Sequence, residues 1–168
     1  MSKKILIKHF KEIGVIDNMS VKLRSGEMPD FYCDVKKAYG HWNITNVIAN
    51  GIGKLLPKSV TCVAASGHGG LPIASIVAHK FKKHFVAVRD IPKSHGRRNL
   101  IDGFMPGKND QIVIIDDVLT TGSSICKTLS VLKGTKAKVL NAIVIVKRGD
   151  AKLPIPYSFL LTVEDIKK

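Results

Sequence analysis

Residues 111–124 read QIVIIDDVLTTGSS, and this stretch decides the fold. Ile112, Val113, Ile114 and Ile115 form an unbroken β-branched run that stops at two adjacent carboxylates, Asp116 and Asp117. A small loop, Thr120-Thr121-Gly122-Ser123-Ser124, follows, and a helical pattern begins directly behind it. A continuous apolar run suits a strand covered on both faces, as in a parallel sheet with helices on either side. Ligands of such sheets sit beyond the carboxyl ends of the strands. Amides of a tight loop entering a helix N-terminus attract anions, so the loop reads as a phosphate cradle. The aspartates would repel a phosphate, so they serve another part of the same ligand, either sugar hydroxyls or a divalent metal. A phosphorylated sugar satisfies both demands. The glycine spacing and the lysine of the nucleotide-binding G-x-x-x-x-G-K-[ST] loop are missing. Simple helix capping by Ser123 would explain one hydroxyl and leave the paired aspartates without a role.

The remaining bounds agree with an α/β reading. With 168 residues and 45% hydrophobic content, the chain fits one domain, residues 1–168, with a real core. No apolar stretch reaches membrane-spanning length, and MSKKILIKHF lacks a long apolar signal segment, so a soluble, cytoplasmic protein with no membrane partner is expected. Cys33, Cys62 and Cys126 are scattered and show neither disulfide nor zinc spacing. Charge is the unusual property: 27 Lys and Arg oppose 13 Asp and Glu, a net +14 with a pI near 9.8. Such an excess favours polyanions, and weak nucleic-acid binding stands beside a merely solvated surface as its reading.

In chain order, residues 3–14 carry a helical stripe (Ile5, Leu6, Phe10, Ile13) that stops at Gly14. Two strand-like runs, 19–23 and 31–35, flank the polar turn from Arg24 to Asp30, and residues 14–39 are expected to form a small hood. A helix over 43–56 ends at Pro57. A strand over 60–64 then enters Ser66-Gly67-His68-Gly69-Gly70, a second loop whose amides can hold an anion, before a helix over 71–83. Behind a strand at 85–88, Arg89, Lys93, His95, Arg97 and Arg98 crowd a segment with no hydrophobic period. Residues 89–103 are therefore expected to be a mobile cationic loop that closes over a polyanion. A helix over 124–132, a strand over 139–146 ending at Lys147-Arg148-Gly149-Asp150, and a strand over 157–163 complete the pattern. Residues 164–168 are expected to fray.

The segment at 111–124 resembles the 5-phosphoribosyl-1-pyrophosphate (PRPP) signature of type I phosphoribosyltransferases. The resemblance implies an α/β fold with a central parallel sheet flanked by helices and a hood at its carboxyl edge. It also implies that Asp116 and Asp117 contact the ribose, that Thr120, Thr121, Gly122, Ser123 and Ser124 bind the 5-phosphate, and that Ser66, Gly67, His68 and Gly69 bind pyrophosphate. Three further stretches are similar to orotate phosphoribosyltransferases. Arg89, Lys93, His95 and Gly96 fall in register with that family's catalytic R-K-x-x-K-x-H-G loop, although Asp90 stands where the family has lysine. Leu23-Arg24-Ser25-Gly26 with Phe31-Tyr32 resembles its L-K-S-G…[FY]-[FY] stretch, which lines the base and PRPP pockets, Arg24 replacing lysine. Lys147-Arg148-Gly149 is similar to its D-R-x-x-G, whose arginine grips the orotate carboxylate.

The resemblance implies Mg2+-dependent transfer of a 5-phosphoribosyl group from PRPP to orotate, giving orotidine 5'-phosphate and pyrophosphate in pyrimidine biosynthesis. Arg89, Lys93, His95, Asp116 and Asp117 would carry catalysis. Arg24 would join the PRPP contacts, and Phe31, Tyr32, Thr120 and Arg148 would hold the base. No protein metal ligand is assigned, since Mg2+ would be held mainly by PRPP. The resemblance further implies a homodimer in which the loop at 89–103 reaches the neighbouring site. Two alternatives stay open: a phosphoribosyltransferase for another nucleobase, and a PRPP-sensing, nucleic-acid-binding regulator without turnover.

Overall fold

A computed structural model describes residues 3–17, 31–89 and 100–168. Helix α1 (Lys3–Glu12) buries Leu6 and Phe10, one turn apart. It ends where Gly14 adopts a positive φ of 63° and the Val15 amide returns to the Phe10 carbonyl at 2.9 Å, a glycine C-terminal stop. Strands β1 (Ile16–Asp17) and β2 (Tyr32–Cys33) pair antiparallel. The strand expected over 31–35 is thus confined to Tyr32–Cys33, and a 3-10 helix follows over Val35–Gly40. This is the described part of the hood; the strand expected at 19–23 lies outside the described residues.

Helix α2 (Trp42–Leu55) aims the 3.6-period stripe Ile44, Ile48 and Ile52 into the core. Strand β3 (Cys62–Ser66), helix α3 (Gly67–Lys80), strands β4 (His84–Val88), β5 (Ile101–Gly103) and β6 (Gln111–Leu119), helix α4 (Ser123–Leu132), strands β7 (Lys138–Lys147) and β8 (Tyr157–Thr162), and helix α5 (Val163–Lys167) complete the described chain. The main sheet runs β5-β4-β3-β6-β7-β8.

The expected parallel sheet flanked by helices is present, with one addition at its edge. β5 runs antiparallel to β4, so the sheet is mixed, and Ile101–Gly103, assigned to the mobile loop from sequence, are strand residues. The five parallel strands alternate their burial between two apolar clusters. Val63, Ala65, Val113, Ile115, Ile143 and Ile145 face α1, α2, α3 and α5. Cys62, Ala64, Ile112, Ile114, Ala142 and Val144 face α4 and the segment leading to β8. Both faces of β6 are thus covered, which is why its sequence shows no polar alternation.

Two other expectations are corrected. Residues 164–168 do not fray: Thr162 accepts from the Asp165 amide at 3.3 Å, while Asp165 accepts from the Thr162 amide at 2.8 Å, a reciprocal cap that starts α5. The glycine stretch at 66–70 is not an open loop, because α3 begins at Gly67 and Ser66 is its N-cap residue.

The topology fixes where a ligand can sit. From β3 the chain crosses to β4 on one side, and from β6 it crosses to β7 on the other. The adjacent strands β3 and β6 therefore form the switch point, and α3 and α4 leave it on opposite faces.

Candidate active site at the switch point

Asp116 lies near the end of β6 and is only 8% exposed. Its Oδ1 accepts from the Asp117 amide at 3.0 Å, and the Asp117 Oδ1 accepts from the Val118 amide at 2.9 Å. Burial, followed by the charge of Asp117, pushes the Asp116 carboxyl up to about 7, while hydrogen bonds from the Asp117 amide and the Ser124 hydroxyl act against the shift. The Ser124 Oγ lies 3.3 Å from the Ser66 Oγ, and the Thr128 Oγ1 donates to the Ser66 Oγ at 2.9 Å. A line of hydroxyls thus joins β3 to α4 and ends at the Asp116 carboxylate, tying the two strands of the switch point together.

Two helix N-termini open on the same edge. Gly122 caps α4 with a φ of 78°, a left-handed conformation, and a Cβ there would stand 2.4 Å from Leu153. At α3 the constraint is proximity to the acidic pair. A Cβ on Gly69 would stand 2.3 Å from the Asp117 carboxylate, and one on Gly70 would stand 2.8 Å from the Ile115 carbonyl. Glycine at these positions lets the first turn of α3 close on the end of β6, so Gly69 and Gly70 stand against Asp117 and Asp116, Ser66 joins them through Ser124, and Gly67 and His68 of the same turn line the cleft beside Arg89. The Thr120–Ser124 turn completes the same edge. Ser123 and Ser124 already belong to α4, which gives the turn helix-terminal amides for an anion.

The hood reaches this edge through three side chains. The Tyr39 hydroxyl, from the 3-10 helix, donates to the Gly69 carbonyl at 2.7 Å. Burial, then Asp117 and Asp116, hold this phenol well above its ordinary range, so it remains a donor. Burial and Asp117 likewise push the Cys33 thiol up to about 11, with Arg148 opposing. The Arg148 guanidinium lies 4.8 Å from the Phe31 ring centroid, and the Lys167 Nζ of α5 lies 3.5 Å from the same centroid. The Arg148 amide donates to the Leu119 carbonyl at 2.9 Å, and Gly149 packs so closely that a Cβ would stand 3.0 Å from the Thr120 carbonyl. Phe31, Thr120 and Arg148 therefore converge, while Tyr32 sits beside them on β2 under the Lys36 Nζ at 5.8 Å.

Arg89 is placed differently. Its Nε donates to the Asp102 carboxylate across the β4–β5 pair, and the two residues share a cleft of about 450 Å³ with Gly67, His68 and Leu71. It thus borders the α3 N-terminus with its charge already engaged. Arg24, Lys93, His95 and Asp90 lie outside the described residues. Tyr39, Thr128 and Lys167 were missed from sequence, since a single aromatic in a short 3-10 helix, a helical threonine and a terminal lysine have no spacing to betray them.

Among the described residues no three His, Cys, Asp or Glu side chains gather into a metal-binding group. The acidic pair suits a divalent cation that draws most of its oxygen ligands from a bound diphosphate rather than from a protein cage.

Comparisons with known proteins agree with this geometry. Residues 43–168 match the model of the phosphoribosyl transferase domain family. The chain is 31% identical over 173 residues to the orotate phosphoribosyltransferase of Methanosphaera stadtmanae, covering 99% of this chain and 97% of the relative. It is 32% identical over 146 residues to that of Methanocaldococcus jannaschii, covering 87% and 82%. The crystal structure of orotate phosphoribosyltransferase from Aeropyrum pernix superposes with a TM-score of 0.84 at 27% identity, over 96% of this chain and 95% of that one. With a switch-point acid pair, two helix termini and an arginine above an aromatic ring, the chain belongs to the phosphoribosyltransferase family and, within it, to the orotate phosphoribosyltransferases.

Proposed function

We propose that the protein transfers the 5-phosphoribosyl group of PRPP to N1 of orotate, releasing pyrophosphate and orotidine 5'-phosphate. One observation carries this reading: two anion-attracting helix termini flank the Asp116–Asp117 pair, and Arg148 stands over Phe31 beside the same turn. PRPP carries phosphate at both ends of a ribose, and orotate is a flat, acidic acceptor.

The N1–C1' bond forms as the C1'–O bond to pyrophosphate breaks, and the N1 proton of orotate passes to the departing pyrophosphate or to water, a step governed by positioning and charge rather than by a protein nucleophile. The amides of Thr120 to Ser124 hold the 5-phosphate, and those of Gly67 to Gly69 hold the pyrophosphate end. Asp116 and Asp117 orient the ribose hydroxyls between them. Arg148 pairs with the carboxylate of the base, and Phe31 bounds the base pocket. Mg2+ would be held mainly by PRPP oxygens, with the Asp116–Asp117 pair as the acidic group beside them, and would neutralise charge on the leaving pyrophosphate. Lys93 and His95 close over that pyrophosphate, and in a homodimer they do so on the neighbouring subunit.

Incubation with PRPP, Mg2+ and a panel of bases, followed by identification of the nucleotide, tests the reading. Orotidine 5'-phosphate should form, and Arg148→Ala should raise KM for orotate by about 10–100-fold, the range for losing a charged hydrogen bond. A nucleotide formed from a base without a carboxylate, unaffected by Arg148→Ala, would replace orotate as the acceptor. Absence of pyrophosphate release with every base would remove the enzyme reading.

A further inference from the structure

The +14 charge is not spread evenly over the fold. The ends of the parallel strands opposite the candidate active site are preceded by α2–β3, α3–β4, β5–β6 and α4–β7 connections. These carry Lys58 before β3, Lys82 and Lys83 before β4, Lys108 before β6, and Lys133 and Lys136 before β7, with Lys54, Lys80, His84 and Lys138 at the adjoining helix and strand ends. All are exposed except Lys83, which is half-buried.

The connections are stitched side by side. The His84 amide donates to Thr61 at 3.0 Å, the Thr61 amide to Gln111 at 2.9 Å, and the Lys138 amide to Asp110 at 3.0 Å. Four neighbouring strands at about 4.8 Å spacing make this a face about 14 Å across along the sheet alone.

Acids are nearly absent from it. Among the described residues, Asp102, Asp116 and Asp117 lie towards the other end of the sheet, Asp150, Glu164 and Asp165 follow the ends of β7 and β8, and Glu12, Asp17 and Asp34 lie in or before the hood. Asp110 is the exception. It accepts from the Gly107 amide at 2.8 Å and from the Thr61 hydroxyl at 2.9 Å, so it is held by an amide and a hydroxyl rather than by a lysine. The ion pairs found among the described residues join other cations: Lys3, Lys8, Lys36, Lys37, Arg89, Lys147 and, when protonated, His9.

We propose that this basic face, opposite the catalytic edge, binds the phosphate backbone of nucleic acid without reading its sequence. Side-by-side lysines uncompensated by carboxylates hold a high positive potential, and a polyphosphate releases counterions on meeting it. Ser59, Gly107, Asn109 and Gly134, small or polar, stand among the lysines. Leu55 and Met105 add exposed apolar surface, but less than the apolar centre a protein partner would bury. Among the described residues the face is built from connections and element ends, with no helix laid across it, which is why contact is confined to phosphates.

The test is fluorescence anisotropy with a labelled 20-base-pair duplex of arbitrary sequence, at 50–200 mM salt. Binding should weaken with a log–log slope of about −3 or steeper, and saturating PRPP with Mg2+ should leave it unchanged. Lys58→Glu with Lys136→Glu should weaken binding at least about tenfold and flatten the slope by about 2 units, while phosphoribosyl transfer stays at the parent rate. The matched reversal on α1, Lys8→Glu with Lys11→Glu, should change binding less than about threefold. Competition by PRPP, equal losses from the two double variants, tighter binding to anionic lipid vesicles than to the duplex, or no binding at 50 mM salt would each overturn the proposal.

Discussion

Asp116 sits where burial and the neighbouring Asp117 charge act in the same direction, and its carboxyl titrates near 7 instead of near 3.8. A carboxyl whose folded pKa is raised favours the fold while it is protonated. That contribution is complete below about 3.8 and is lost as pH rises to about 7, because the unfolded chain has already released the proton. Asp116→Asn should therefore raise the melting temperature by a few degrees at pH 8 and change it little at pH 4, measured by thermal denaturation at both pH values. The same variant should lower kcat/KM for PRPP by about 10–100-fold, since the charged partner proposed for the ribose is lost. An equal thermal shift at both pH values would mean that the carboxyl charge is not what strains this position. The pair Asp116–Asp117 was legible from sequence because two acids interrupting an apolar strand have no packing role. Its unequal burial was not, since that depends on how closely Gly69 and Gly70 of α3 approach β6.

At the scale of elements, long periodic segments were readable and short ones were not. Helix α2 and strand β6 follow from the 3.6-residue stripe and the unbroken β-branched run. β5 has three residues, Ile101, Asp102 and Gly103, and only its pairing with Val86–Val88 makes it a strand. α5 is set by Thr162 and Asp165, a cap in which aspartate stands at the usual glutamate place, so the signal existed but differed from the common box. The 3-10 helix at Val35–Gly40 matters through Tyr39, which reaches from the hood to the first turn of α3. Tyr39→Phe removes the donor, and the Gly69 carbonyl loses its side-chain bond while keeping its place in the helix, at a cost of about 0.5–1.5 kcal/mol. Because the turn bearing that carbonyl is the proposed pyrophosphate site, KM for PRPP should rise about 2–10-fold while kcat changes less than about threefold. Steady-state kinetics with PRPP varied at saturating orotate would show this; a fall in kcat alone would place Tyr39 in the chemical step instead.

For the whole molecule, the proposed dimer makes a claim that one chain cannot satisfy by itself. If the segment bearing Lys93 serves the neighbouring subunit, inactive Lys93→Ala and Asp117→Asn variants should complement each other. Random re-association leaves half the dimers mixed, each with one intact site, so activity should recover to about a quarter of the parent. Denaturing, mixing and refolding the two variants before assay measures this, and no recovery would place the segment over its own subunit's site.

The β4–β5 pairing has a consequence for how such a protein can change. The Arg89 amide donates to the Leu100 carbonyl at 2.8 Å, and the Arg89 side chain bonds Asp102, so Arg89 and Leu100 are clamped together at one point of the sheet edge. Because both ends are fixed by the scaffold, lengthening the chain between them costs little, about 0.6 kcal/mol per doubling of a flexible connection. The clamp is thus a graft point, at which a connection of another length can be joined to the same sheet. Asp90, the departure from the family's lysine, follows this clamp directly in the sequence.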